Sequence, residues 1–147
     1  MKRSEIEQFV RGTLGCRCPE GVFDSIELRQ LPGTTAAQPV VQLLVGERLL
    51  IHCVRLPQDA ATRWIEQLAA AGQAIRDRGG YNRFRLVVVG GHGTDLPPEL
   101  HARFAAAVAG DDHAHLHLVT EDQLPGSLAG PLAELSSAVA AAVTVAK

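Results

Sequence analysis

Apolar residues recur every three or four positions in four segments of the chain, the spacing that buries one face of a helix. These segments are residues 3–14, 58–78, 97–109 and a last one that starts at Pro131. Glycines that follow the first three predict where those helices end: Gly15, Gly79-Gly80 and Gly110. Prolines at the start of the third and fourth segments suit the first turn of a helix.

Five other segments have the pattern of strands: residues 25–31, 40–45, 48–54, 84–89 and 115–120. The second and third are apolar at nearly every position and flank Gly46-Glu47, which predicts a β-hairpin with a type II′ turn. A hairpin of this kind is expected near the centre of a sheet, with both faces covered.

The order of these elements predicts one α/β domain over residues 1–147. Three strands that follow each other directly form an antiparallel meander, and two β-α-β units extend it with parallel strands. We therefore expect a mixed five-stranded sheet in a three-layer fold with helices on both faces. The length suffices for such a core without disulfide or metal staples.

Composition and charge narrow the classes of function. A formal net charge of −2 and few aromatic residues argue against a nucleic-acid binder or an anionic-membrane binder. The N-terminal residues lack the apolar core of a signal peptide, and the Ala/Val-rich C-terminal segment is too short to span a bilayer. These features favour a cytoplasmic protein, in which reduced thiols are the default for its three cysteines.

The most informative stretch holds Cys16 and Cys18, where one helix ends and another begins. Pro19 suits the first position of the following helical turn and would make Cys18 its N-cap. A sulfur there can accept from the backbone N–H of Gly21, and the helix dipole lowers the pKa of the thiol. Arg17 adds a positive charge nearby, while Glu20 opposes it. This position therefore predicts a reactive thiolate or a metal ligand.

Several chemistries fit the Cys16-x-Cys18 pair. A disulfide across two residues is strained, easily reduced, and hence regulatory or catalytic. Alternatively, the pair supplies two ligands to zinc or to an iron–sulfur cluster, which needs further ligands from Cys53, His52 or a second copy in a homo-oligomer. Cys53 and His52 project to opposite faces of one strand, so only one can join. Buried cysteines that only pack, in a non-catalytic binding or interaction domain, remain the alternative.

A resemblance accompanies this motif. The segment Thr13-Leu14-Gly15-Cys16-Arg17-Cys18-Pro19-Glu20-Gly21-Val22-Phe23 resembles the opening T-L-G-C-x-C-P-x-x-V-F motif of a group of uncharacterised small prokaryotic proteins. It covers about a dozen residues of the chain and carries no assigned activity. The resemblance therefore implies a site at this corner without naming its chemistry.

Two further patterns are candidates for ligand binding. His113, His115 and His117 alternate along a predicted strand and share one face, as metal ligands or as the polar side of a half-exposed strand. Between a strand and a helix, a glycine-rich turn offers a loop for an anion or an ordinary connection. The residues of this candidate ligand loop are Gly91, His92, Gly93 and Thr94.

The sequence leaves open whether the protein is an enzyme. The meander resembles the core of restriction-endonuclease-like nucleases, but its second and third strands lack the acidic and lysine residues that such nucleases need. No serine-hydrolase, zinc-protease or kinase signature is present. Two hypotheses follow: a cytosolic thiol-site protein, metal-binding or redox, and a non-catalytic binding domain with structural cysteines.

Overall fold

The computed structural model of the chain describes residues 2–32, 38–56, 58–90 and 97–145. Its centre is a five-stranded sheet in the order β1-β2-β3-β4-β5. The strands are β1 (Ile26–Leu31), β2 (Val40–Val45), β3 (Leu49–Arg55), β4 (Arg83–Val89) and β5 (Ala114–Val119). The first three pair antiparallel, and β3, β4 and β5 run parallel. The predicted meander with two parallel β-α-β extensions is confirmed.

Within the described residues, four α-helices lie on the two faces of the sheet: α1 (Arg3–Gln8), α2 (Gln58–Gly79), α3 (Pro98–Ala107) and α4 (Gly126–Val145). A π-helical segment, Phe9–Thr13, continues α1, and two short 3₁₀ turns cover Glu20–Asp24 and Glu121–Gln123. Within the described residues, no helix combines the length and the apolar character needed to cross a membrane.

The sheet divides the interior into two cores, as the predicted three layers require. The first core lies under α1, the π-helical segment and α4, and it includes Ile51 and Cys53 of β3. The second core lies under α2 and α3, and it includes Leu50 and Val54 of the same strand. Since successive strand residues project to opposite faces, β3 contributes to both cores, which explains its nearly continuous apolar sequence.

Helix α1 ends in a wide turn that sets the position of the cysteine motif. The Leu14 N–H donates to the Phe9 carbonyl at 3.0 Å, a π-type bond. Gly15 has φ +71°, in the left-handed region where a residue without Cβ carries little strain. The Cys16 N–H then donates back to the Val10 carbonyl at 3.0 Å. Cys16 is thereby returned to the first core immediately after the helix ends.

The turn between β2 and β3 differs from the predicted type II′ turn. Gly46 and Glu47 both have positive φ, 61° and 60°, as in a type I′ turn. The Arg48 N–H closes this turn on the Val45 carbonyl at 3.1 Å. A Cβ on Gly46 would overlap the Val22 backbone, so the hairpin packs tightly against the segment that follows the cysteines. The positive φ of Glu47 is what distinguishes the observed turn from the predicted one, since both types need positive φ at Gly46.

Helix α4 begins five residues before the start predicted at Pro131, which lies inside the helix. Proline inside a helix is costly because it lacks an N–H and crowds the preceding turn. The apolar stripe of Leu128, Leu132 and Leu135 nevertheless continues through it into the first core. Tertiary burial of this stripe outweighs the local preference to start the helix at the proline.

Candidate functional site

Cys16 and Cys18 are joined by a disulfide, with their Cα atoms 5.5 Å apart. The two sulfurs therefore converge and are bonded. This differs from the reduced thiols that the sequence alone predicts as the default state. Cys16 is 7% exposed and belongs to the first core. Cys18 is half-buried and packs against the same core. Cys16 is thus the more buried residue of the pair and Cys18 the more accessible one.

The predicted helix cap at Cys18 is wrong by one residue. Pro19 is the N-cap of the following 3₁₀ turn, with extended backbone, and its carbonyl accepts from the Val22 N–H at 3.1 Å. Proline was expected inside the first helical turn, but here its carbonyl begins the turn instead. Because that turn, Glu20–Asp24, has only five residues, it supplies little dipole, and the electrostatics of the motif come from elsewhere.

A cavity of about 350 Å³ lies between the cysteine motif and the amino ends of β3 and β4. One wall is the segment 15–19, which contains the disulfide. The opposite wall is formed by Arg48, Leu49, Asn82 and Arg83. The volume is within the range of sites for small molecules. The disulfide therefore lies in a cleft and is not confined to a flat surface.

Backbone hydrogen bonds hold the sheet side of this cleft together. The N–H groups of Asn82 and Arg83 both donate to the carbonyl of Arg48, at 2.9 and 3.0 Å. Leu49 and Arg83, the first residues of β3 and β4, are register partners. The start of the parallel pair therefore places the side chains of Arg48 and Arg83 on the same wall, although they are distant in the sequence.

The electrostatics of the cleft are positive. Among the described residues that line it, three are arginines, Arg17, Arg48 and Arg83, and none is acidic. No carboxylate whose side chain the structure describes lies within ion-pair distance of these three arginines. Elsewhere, seven basic side chains form ion pairs: Lys2, Arg3, Arg11, Arg29, Arg55, Arg76 and Arg103. Arg63, Arg78 and Arg85 have no ion pair among the described side chains either, but they do not line the cleft. Three arginines without a described ion-pair partner therefore lie together beside the disulfide.

Arg85 anchors the motif to the sheet from below. Its Nη1 donates to the Leu14 carbonyl at 2.9 Å and contacts His117 Nε2 at 2.8 Å. The side chain is buried, and its Nε has no hydrogen-bond partner in the described structure. Burial, and then the charge of Arg83, lower the pKa of Arg85. Arg85 thus joins β4 to the residue two positions before Cys16.

His117 accepts this bond as a neutral imidazole. Burial, followed by the charge of Arg85, lowers the pKa of His117 to about 4. At neutral pH the ring is therefore uncharged and carries one N–H. Because a guanidinium can only donate, the contact assigns that proton to Nδ1 and leaves Nε2 as the acceptor. Sequence reasoning missed Arg85 entirely. The available signal was an arginine inside an otherwise apolar strand, Arg83-Phe84-Arg85-Leu86, which needs an internal partner.

Cys53 and His52, the two proposed helpers, project to opposite faces of β3 as predicted. Cys53 is a free, fully buried thiol in the first core, and burial raises its pKa to about 12. His52 faces Phe84 of the second core edge-on, with ring centroids 5.7 Å apart. Its Nε2 lies 3.0 Å from Gln42 Oε1, and burial lowers its pKa to about 4. His52 therefore lies across the sheet from the cysteine motif.

None of the three histidines of the other predicted metal site lines the cleft. Within the described residues, no group of three or more His, Cys, Asp and Glu side chains is arranged to hold a metal ion. This includes His115 and His117 on the edge strand β5, and His113, which lies in the turn before that strand and not on it as predicted. The candidate ligand loop of Gly91, His92, Gly93 and Thr94 lies outside the described residues.

Comparison of the chain with protein-family models, with curated proteins and with solved structures finds no match. The resemblance of segment 13–23 to a group of small prokaryotic proteins therefore stays a prediction. Function is therefore inferred from the chemistry of the residues that line the cleft.

Proposed function

We propose that this chain is a thiol–disulfide redox protein whose reactive centre is the Cys16–Cys18 pair. The observation that carries the proposal is the bonded pair itself, with Cys18 half-buried in a cleft that three arginines line. Of the two branches that the motif leaves open, redox chemistry is favoured over metal binding. The two sulfurs that would bind a metal are bonded to each other.

The chemistry is an exchange with a dithiol. A substrate thiolate attacks Sγ of Cys18, a substrate–Cys18 disulfide forms, and the original bond breaks with its electron pair leaving on Cys16 Sγ. The second substrate thiolate then attacks the substrate sulfur of that mixed disulfide and expels Cys18 as a thiolate. Overall, the substrate dithiol loses two electrons and two protons, and the two cysteines gain them.

Attack is directed to Cys18 because its side chain is half-buried while Cys16 is 7% exposed. Thiolate reactivity depends on access and on nearby positive charge. Arg17, Arg48 and Arg83 supply that charge at the cleft. They favour the anionic sulfurs that each exchange step releases. Cys53, buried and with its pKa raised to about 12, is no competitor for the incoming thiol.

We also propose a cytoplasmic location. Disulfides in that compartment are usually transient, catalytic or redox-sensing because thiol pools reduce them. A couple that cycles between the bonded pair seen here and two free thiols is consistent with that environment.

The test is catalysis of dithiol oxidation. A dithiol peptide is mixed with bis(2-hydroxyethyl) disulfide, a neutral terminal oxidant, and a trace of the protein is added. We expect peptide oxidation to accelerate, and the acceleration to disappear in Cys18→Ser. Cys53→Ala is the matched control, since it removes the other cysteine and leaves the couple intact. Equal rates with wild-type protein and Cys18→Ser would refute the proposal.

The alternative, a non-catalytic binding domain with structural cysteines, is favoured by one observation: Cys16 is part of the first core. A disulfide that closes so short a loop restricts the unfolded chain little. If the pair is purely structural, the Cys16→Ala/Cys18→Ala variant should be less stable than the wild type because it loses packing. Neither protein should then accelerate dithiol oxidation. A metal-binding role predicts instead that the reduced protein retains zinc or iron through gel filtration.

A further inference from the structure

We infer that the cleft beside the disulfide recognises a small thiol that carries carboxylates, and that this molecule is the redox partner of Cys18. The inference rests on the proposed function and adds the class of substrate to it. Its basis is the position of three unpaired arginines around one reactive bond, in a cavity of about 350 Å³.

The charge of the cleft selects the ligand class. A guanidinium presents donors in a planar fork that matches a carboxylate, and three such groups come from two walls of the same cavity. Arg17 lies between the two cysteines in sequence, whereas Arg48 and Arg83 come from the ends of β3 and β4. A ligand that contacts both walls therefore fills the cavity whose lining includes Cys16 and Cys18.

Further positive charge lies behind the cleft. Arg85 is two residues from Arg83 on the same strand face, and the charge of Arg83 is felt at Arg85, where it lowers the pKa. With His117 neutral at physiological pH, the histidine adds nothing to this charge. The field at the cavity thus comes from arginines, which stay protonated throughout the physiological range.

The arrangement also suits the chemistry of a small thiol. Its thiolate attacks Cys18 Sγ, forms a mixed disulfide, and releases Cys16 as a thiolate. A second molecule attacks the sulfur of the first, forms the small-molecule disulfide, and releases Cys18 as a thiolate. Two thiols thereby lose two electrons and two protons to the protein pair. The carboxylates, held by the arginines, keep each thiol within reach of Cys18.

The experiment measures how fast the oxidised protein is reduced by glutathione and by glutathione diethyl ester, a matched pair that differs in its two carboxylates. Rates are divided by the thiolate concentration of each reagent at low ionic strength. We expect glutathione to react at least roughly tenfold faster than its diethyl ester. Tenfold is the lower end of the rate increase that a charged cleft gives to a ligand of opposite charge. The ratio should fall as salt is added.

Variants assign the preference to the cleft. The Arg48→Gln/Arg83→Gln double variant is expected to reduce the ratio to about two, while Arg48→Lys/Arg83→Lys retains most of it because the charge remains. Arg63→Gln is the matched control, since Arg63 is an exposed arginine on α2, on the opposite side of the sheet. Its ratio should equal that of the wild type. Circular dichroism confirms that each variant is folded.

The outcomes separate this inference from the proposed function. A wild-type ratio near one, or a ratio unchanged in the double glutamine variant, overturns carboxylate recognition while the redox function stands. If neither reagent reduces the pair and dithiol oxidation is not accelerated, both proposals fail together. A ratio that collapses in the glutamine variant alone supports the inference.

Discussion

Two regions of the molecule contain cysteine, and they place it in opposite environments. At the cleft, Cys18 is half-buried beside unpaired arginines and bonded to Cys16. In the middle of β3, Cys53 is fully buried, free and surrounded by apolar side chains. The same residue type is thus bonded and partly accessible in one region, and free, buried and kept protonated in the other.

The comparison teaches that the surroundings decide the chemistry here. Burial without a partner disfavours the charged form of a thiol and raises its pKa. His52, next to Cys53, responds in the opposite direction for the same reason, because burial disfavours its cationic form. His52 and Cys53, in the middle of β3, are therefore neutral, and the cleft at the amino ends of β3 and β4 is lined by charged arginines.

The largest expected difference between the two regions is the rate at which their thiols are alkylated in the reduced protein. Raising the pKa of Cys53 from 9.0 to about 12 lowers its thiolate fraction about a thousandfold near neutral pH. Cys18 should therefore react with iodoacetamide at least about a thousandfold faster than Cys53 in the native state. Peptide mass mapping of time points measures both rates. Comparable rates at the two positions would remove the contrast.

A second prediction concerns Arg85, which links the sheet to the cleft. Arg85→Met removes a charged donor from the Leu14 carbonyl and should lower the free energy of unfolding by about 2 kcal/mol. Urea denaturation measures this. Arg63→Met, at an exposed position, should stay within about 0.5 kcal/mol of the wild type. If both variants are equally stable, the anchor does not hold the motif.

The buried His52 should make the free energy of unfolding fall in acid. The pKa of His52 is about 4 in the fold and 6.5 in the unfolded chain, so the unfolded state binds more protons between these values. Its contribution to stability is complete above pH 6.5 and is lost as the pH falls toward 4. From pH 7.5 to 5 the loss is about 2 kcal/mol.

His52→Gln isolates this contribution, because His117 titrates in the same window and stays in place. The difference in unfolding free energy between wild type and variant should change by that amount between the two pH values. A difference that is constant with pH would show that His52 does not titrate as its burial demands.

The smallest effect is expected at the turn that delivers Cys16. Gly15→Ala places a Cβ on a residue with φ +71°, which costs about 1 kcal/mol even though the surrounding space is open. Gly12→Ala, three residues earlier, adds a methyl group in open space without positive φ and should be neutral or slightly stabilising. Thermal unfolding of the pair tests the difference. Equal losses would mean that backbone conformation at Gly15 is not the cause.

Local sequence determined the architecture of this protein. The hydrophobic periodicity of each segment specified its helix or strand, and the order of segments specified a meander followed by parallel strands. Both follow from short-range rules, because which positions are buried sets the repeat and the direct succession of strands sets their pairing. Residue types alone also predicted a candidate site at Cys16 and Cys18.

Tertiary structure decided everything that depends on residues far apart in the chain. The start of α4 before Pro131 arises from burial of its apolar stripe, and the close packing of Gly46 on Val22 joins segments distant in the sequence. The cleft needs Arg48 and Arg83, which are brought together by the register of β3 with β4. Local patterns carry no information on such approaches, since long-range packing energies outweigh the preferences of individual segments.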